Sequence, residues 1–210
     1  MPEPLDARER RELCDLFEEL GPDAPTLCAG WTTADLAAHL VVRERDLRAV
    51  PGILLGGRFE APLERLMAKA KASGYDAVVE RVRNGPPLGP MALPGLRTLV
   101  NLNEYVVHHE DVRRADGRPP RDDRSDLQDA VWGLLRHQAR LMLRKVRGAT
   151  VRVARPDGSH VQAGSGPEVV VTGEPVELLL YLFGRRGVAQ VAVTGDESAR
   201  RALADASLGL

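Results

Sequence analysis

Two hydrophobic periods divide this chain, a helical one up to about Arg147 and an alternating one after Gly148. Between Leu5 and Leu20 the apolar residues Leu13, Leu16, Phe17 and Leu20 recur at helical spacing among charges, and Gly21-Pro22 ends the segment. Thr32 is placed to cap a second helix, with Asp35 three residues on as an imperfect capping-box partner. TADLAAHLVVRERDLRAV then runs helically until Pro51. LERLMAKAKAS and YDAVVERVRN read as a helical pair broken near Gly74. The proline-rich NGPPLGPMALPG leads into a long helix from about Leu96 to Ala115, and Ser125 with Gln128 predicts a capping box for DLQDAVWGLLRHQARLMLRKV. Together these helices predict a four-helix bundle with extra turns.

Beyond Gly148, TVRVARPDGSHVQAG alternates around a Pro-Asp-Gly turn as a hairpin does, and EVVVTG is a further short strand. PVELLLYLFGR reads as a helix with Pro175 in its first turn and Gly184 at its end, followed by the strand VAQVAV and a last helix, ESARRALADA. The predicted fold is therefore α+β, with a helical domain over 1–147 and a small α/β domain over 148–210.

Composition removes several classes of function. A net charge of -1 provides no positive field for a phosphate backbone, so nucleic acid is not the expected partner. The longest apolar stretch, Leu178 to Phe183, is far too short to span a bilayer. The first twenty residues mix acids and bases where a signal peptide needs an apolar core. Cys14 and Cys28 form no paired framework, which fits free thiols in a reducing cytoplasm. No exposed apolar heptad marks an oligomer interface.

The residues with chemistry concentrate on two helices. Glu104 and His108 are four apart, so they stand one turn above each other and can aim at one ion, and Asp111 lies on the same row as an acceptor for a metal-bound imidazole. Asn103, Glu110 and Arg114 form a second polar row expected to face water. Spacing alone also fits an exposed Glu104–His108 pair worth tenths of a kcal/mol. His39 sits in the apolar stripe of its own helix, made by Leu36, Leu40 and Leu47, where a lone histidine is more often a satisfied core residue than a ligand, and the Glu and His offered by a second helix shift that balance toward metal. Two imidazoles and one carboxylate suit Zn2+ or another borderline divalent ion, and three protein ligands leave a position open for water or substrate. His109, His137 and His160 read as surface or core-edge residues. Trp31 reads as the anchor of its loop and Trp132 as core; the loop of Cys28 precedes the His39 helix and can bring the thiol near the metal, but as a small buried hydrophobe Cys28 needs no function.

CAGWTTADLAAHLVVRERD resembles the start of mycothiol-dependent maleylpyruvate isomerases and their relatives in the DinB-like metalloenzyme superfamily, where a Cys-x-Gly-Trp-Thr loop leads to a helix carrying a histidine ligand. EYVVHHEDVRRA resembles the second half of that site, and TGEPVELLLYLFGRRGVAQVAVTGD is similar to the small C-terminal domain of the same proteins, whose helix ends on Gly-Arg. The resemblance implies a DinB-like four-helix bundle, metal ligands at His39, Glu104 and His108, and a low-molecular-weight thiol, mycothiol, as cosubstrate.

It also implies that Arg185 faces the metal cleft between domains, where a guanidinium can clamp a substrate carboxylate. The alternative for Arg185 is a cation favourably placed at a helix C-terminus. Arg43, one turn beyond His39, is a second anion-binding candidate unless it extends outward to water. A divalent ion with an open position lowers the pKa of a bound thiol. The thiolate can add to a conjugated cis alkene, allow rotation and be eliminated, or it can attack an electrophile and stay attached. Two other readings compete with thiol-dependent isomerisation or transfer on a small electrophile. One is a hydrolase using metal-activated water. The other is a protein that binds metal and a small molecule without turnover.

Overall fold

The computed structural model describes residues 3–46, 60–86 and 96–209. Helix α1 spans Leu5–Leu20, α2 Thr33–Arg45, α3 Glu60–Lys71, α4 Tyr75–Asn84, α5 Leu96–Ala115 and α6 Ser125–Met142, followed by a 3-10 turn at Leu143–Lys145. Then come β1 Thr150–Ala154, β2 His160–Gly164, β3 Glu168–Thr172, α7 Pro175–Leu182, β4 Ala192–Gly195 and α8 Glu197–Asp205. The fold is α+β, helical first and then built on a small sheet. Among the described residues no helix is long and apolar enough to cross a membrane.

The chain forms two compact units, Met1–Pro119 and Pro120–Leu210. This division differs from the expected one near Arg147. Arg147 is where the hydrophobic period changes, but α6 lies on the far side of the packing boundary because it packs along α7 and against β2. A change of secondary structure and a change of packing partner are separate physical events.

In the first unit, α1 packs along α5 and α4, while α2 packs on α3 and α4. Asp35 takes both the backbone N–H and the hydroxyl of Thr32, at 3.1 Å each, so the expected cap of α2 forms. Asp46 leaves helical geometry, and α2 ends at Arg45, short of the expected stop at Pro51. Residues 47–59 and 87–95, which include Leu47, Pro51 and most of the proline-rich NGPPLGPMALPG, lie outside the described residues. Gly74, at φ +88°, separates α3 from α4 as the sequence predicts.

An ion pair in the interior, with the groups bonded to it, ties four of these helices together. Arg10 of α1 donates to both carboxylate oxygens of Glu44 on α2, at 3.0 and 2.6 Å, and to the Val82 carbonyl at 3.0 Å. Tyr105 of α5 donates its hydroxyl to Glu44 Oε1 at 2.7 Å, and its ring lies 4.7 Å under the Arg10 guanidinium. Gly85 terminates α4 at φ +66°, where a β-carbon would also collide with the Arg10 guanidinium. Glycine satisfies both constraints.

The sheet of the second unit runs β2-β1-β3-β4, with β1 parallel to β3 and the outer pairs antiparallel. Val151 and Val153 pair with Val169 and Val171, and all four are buried, so the inward face is set by the alternation seen in sequence. Helix α7 is buried on every side. Two local expectations fail here. Ser125 does not cap α6: it is the first helical residue, and Gln128 donates instead to the Arg121 carbonyl and accepts from the Val176 N–H. Strand β4 starts at Ala192 rather than Val188, because Val188 and Ala189 turn back onto the Arg185 carbonyl. Trp132 is half-buried rather than core.

Replacing Glu44 by Ala leaves the buried Arg10 charge without its carboxylate, which costs about 3–5 kcal/mol. Tyr105→Phe removes one hydrogen bond and costs about 1 kcal/mol. Urea unfolding of the two variants should reproduce that order, and equal losses would show that the ion pair does not hold the helices.

Candidate metal centre

Helix α2 presents His39 and Arg43 on one face, and α5 presents Asn101, Glu104, His108 and Asp111 along another. The structure brings His39, Glu104 and His108 together. His39 Nε2 lies 3.4 Å and His108 Nε2 3.2 Å from the same oxygen, Glu104 Oε1. Ligand atoms about 2.0–2.1 Å from a tetrahedral zinc ion stand about 3.3–3.4 Å apart. Both imidazole nitrogens stand at about that spacing from the carboxylate oxygen, and the three ligand atoms, two imidazoles and one carboxylate, all lie within 4.8 Å of one another. The residues fit a divalent ion.

Asp111 lies on the outer side of the His108 ring. His108 Nδ1 donates to Asp111 Oδ2 at 2.9 Å, which fixes the tautomer and leaves Nε2 aimed at Glu104. The His39 ring packs 5.2 Å from Trp31 and 5.4 Å from His108, centroid to centroid. Its Nδ1 is buried without a hydrogen-bond partner among the described residues.

Burial alone would raise the Glu104 pKa, but hydrogen bonds from His108 and His39 and the charges of His108 and Arg43 hold it well below the usual carboxylate range. Burial lowers the His39 pKa, and the Glu104 contact only partly offsets it. His108 moves the opposite way. Burial opposes its charge, but hydrogen bonds to Asp111, Cys28 and Glu104 outweigh that effect and raise its pKa well above the imidazole range.

Arg43 does not extend outward to water. Its Nε lies 3.1 Å from Glu104 Oε1, and its NH1 donates to Asn101 Oδ1 at 2.9 Å. Arg185 lies in the second unit just beyond α7. It is half-buried, with NH1 donating to the Phe183 carbonyl at 2.8 Å, a contact that serves a helix end.

Three features of the surroundings depart from the sequence reading. Cys28 is not an idle hydrophobe: its thiol donates to Asp111 Oδ2 at 3.2 Å and lies 4.0 Å from His108 Nδ1. A loop residue five positions before a helix carries no periodic signal, so sequence offered only the proximity of its loop to His39. His109 is buried rather than peripheral, with Nδ1 3.0 Å from the buried Glu9 of α1. The row expected to face water is buried as well. Asn103 and Glu110 are interior, and Glu110 is held by Arg113 at 3.1 Å and Arg114 at 2.6 Å. His137 and His160 are exposed, as expected.

The two thiols should separate chemically. Burial pushes the Cys14 thiol up to about 12, and it is fully enclosed, whereas Cys28 is half-buried. Native protein at pH 8 is expected to give one reactive thiol with a disulfide reagent, lost in Cys28→Ala, and two in urea. Rapid reaction of Cys14 in the native state would contradict this packing.

The profile described as the mycothiol maleylpyruvate isomerase N-terminal domain matches residues 7–193 of this chain. No curated protein and no solved structure gives a significant match. With a match over most of its length, the chain belongs to the mycothiol maleylpyruvate isomerase N-terminal domain family.

Proposed function

We propose that this protein is a zinc-dependent enzyme that uses a low-molecular-weight thiol, mycothiol or a close analogue, to isomerise or thiolate a small electrophilic substrate. The observation that carries the reading is the convergence of His39 Nε2 and His108 Nε2 on Glu104 Oε1, at 3.4 and 3.2 Å. His39, Glu104 and His108 would hold the ion. Zinc with an open position supplies a Lewis acid that favours the thiolate form of a bound thiol near neutral pH.

The chain's own groups divide the remaining work. Asp111 keeps the proton on His108 Nδ1, so that Nε2 offers its lone pair. Arg43, aligned by Glu104 and Asn101, provides a fixed guanidinium beside the ligands for an anionic substrate group. Arg185, matched to the Gly-Arg helix end of the family, is the second carboxylate-binding candidate. Asp111 is fully buried and bonded to both His108 and Cys28. That makes it a poor carrier of protons to and from water, and it supports thiol chemistry over hydrolysis.

Purified protein should contain one zinc per chain, and His39→Ala should lose it; an absence of metal from both would overturn the reading. Ligation requires imidazoles that have given up their Nε2 protons, so uptake releases protons and affinity falls as pH falls. Isothermal titration in buffers of different ionisation enthalpy counts those protons. A panel of electrophiles, α,β-unsaturated acids included, should turn over only when thiol is present. Arg185→Ala is expected to raise KM for acidic substrates about tenfold and to leave metal content unchanged. Thiol-independent hydrolysis would replace the proposal with the hydrolase reading.

A further inference from the structure

The turn from Thr26 to Trp31 reaches both histidines of the centre. It is closed on itself: the Thr26 hydroxyl donates to the Trp31 carbonyl at 2.9 Å and accepts the Cys28 N–H at 3.1 Å, while the Trp31 N–H donates to the Cys28 carbonyl at 2.9 Å. Gly30, at φ +76°, permits the reversal. The turn is also anchored to α5, because the Leu27 N–H donates to the Asp111 carbonyl at 3.0 Å. From this frame two side chains extend. The Cys28 thiol donates to Asp111 Oδ2, the oxygen that also accepts from His108 Nδ1, and the Trp31 ring lies 5.2 Å from the His39 ring, inclined by 51°.

The two imidazoles are thus held by different forces. A hydrogen bond orients His108, and the carboxylate that accepts it is itself fixed by Cys28. On its outer side His39 has no such bond among the described residues, since its Nδ1 is buried there without a partner. Beyond the Nε2 contact with Glu104 its ring angle rests on packing, and Trp31 is an aromatic surface in contact with it. A metal ligand whose outer nitrogen is unbonded depends on its neighbours for orientation.

We propose that Cys28 and Trp31 are positioning residues for the metal centre, one acting on His108 through Asp111 and the other directly on the His39 ring, so that a single turn sets the angle between the two imidazoles. The inference rests on the metal reading above and extends it to residues that would not themselves touch the ion.

Cobalt(II) reports on the centre without any substrate, because its visible absorption depends on ligand geometry. Removal of a direct outer partner of a ligand typically costs about 10–100-fold in metal affinity. One contact further out, Cys28→Ala and Trp31→Phe are each expected to weaken Co2+ binding about 3- to 10-fold and to shift the absorption band. Cys28→Ser, which keeps a donor, should return to within about twofold of the parent. The double variant should show the product of the two losses, since the residues act on separate ligands. Unfolding midpoints of the metal-free proteins distinguish positioning from a general loss of packing. Unchanged affinity and absorption in Cys28→Ala and Trp31→Phe overturn the proposal, as do an equal loss in Cys28→Ser or affinity losses that simply follow lowered midpoints. A parent protein that takes up no Co2+, or uptake that survives His39→Ala, overturns the metal reading itself and this inference with it.

Discussion

A carboxylate removed from water must find its compensation where it lies, and Glu104 sets the terms for the first unit of this protein. Its oxygen Oε1 is approached by His39, His108 and Arg43, from two helices. In an interior of low dielectric such a charge would be prohibitive alone and is tolerable only with partners at hydrogen-bonding distance. The same convergence that neutralises the carboxylate creates a cluster of lone pairs suited to a divalent ion. Structural necessity and chemical capacity are here one arrangement.

Keeping that arrangement requires α2 and α5 to stay in register. The ion pair of Arg10 with Glu44, joined by Tyr105, supplies a second polar tie between the same two helices. Glu44 follows Arg43 directly, and Tyr105 follows Glu104, so each helix directs one residue to the metal centre and its neighbour to the ion pair. Adjacent helical positions point about 100° apart, which separates the two networks while coupling their geometry. Displacement of α2 against α5 would disturb both at once.

Much of this was legible in the residues. The 3.6 period placed α1 and α5, Gly74 marked the break between α3 and α4, and the alternation in β1 and β3 marked their inward valines. The resemblance carried by the Cys-x-Gly-Trp-Thr loop and by EYVVHHEDVRRA agrees with the family match. Harder to read were residues whose role depends on a neighbour from elsewhere in the chain. Gln128 looked like a capping partner for Ser125, but the Val176 N–H needed an acceptor. Glu110 looked solvent-facing, since a helical wheel displays polarity without showing that Arg113 and Arg114 will close over the carboxylate. His109 looked peripheral until α1 brought Glu9 against it.

By itself the sequence determined the order of helices and strands and the helix face that carries Glu104, His108 and Asp111, because these follow from local backbone geometry and the spacing of side chains along one element. Tertiary structure alone decided that His39 meets that face, that Arg43 turns inward to Glu104 and Asn101, and that Cys28 bonds to Asp111. Each of these depends on the distance between groups remote in the chain. Burial sharpens that dependence, since a polar group shielded from water must take whatever partner the packing brings to it.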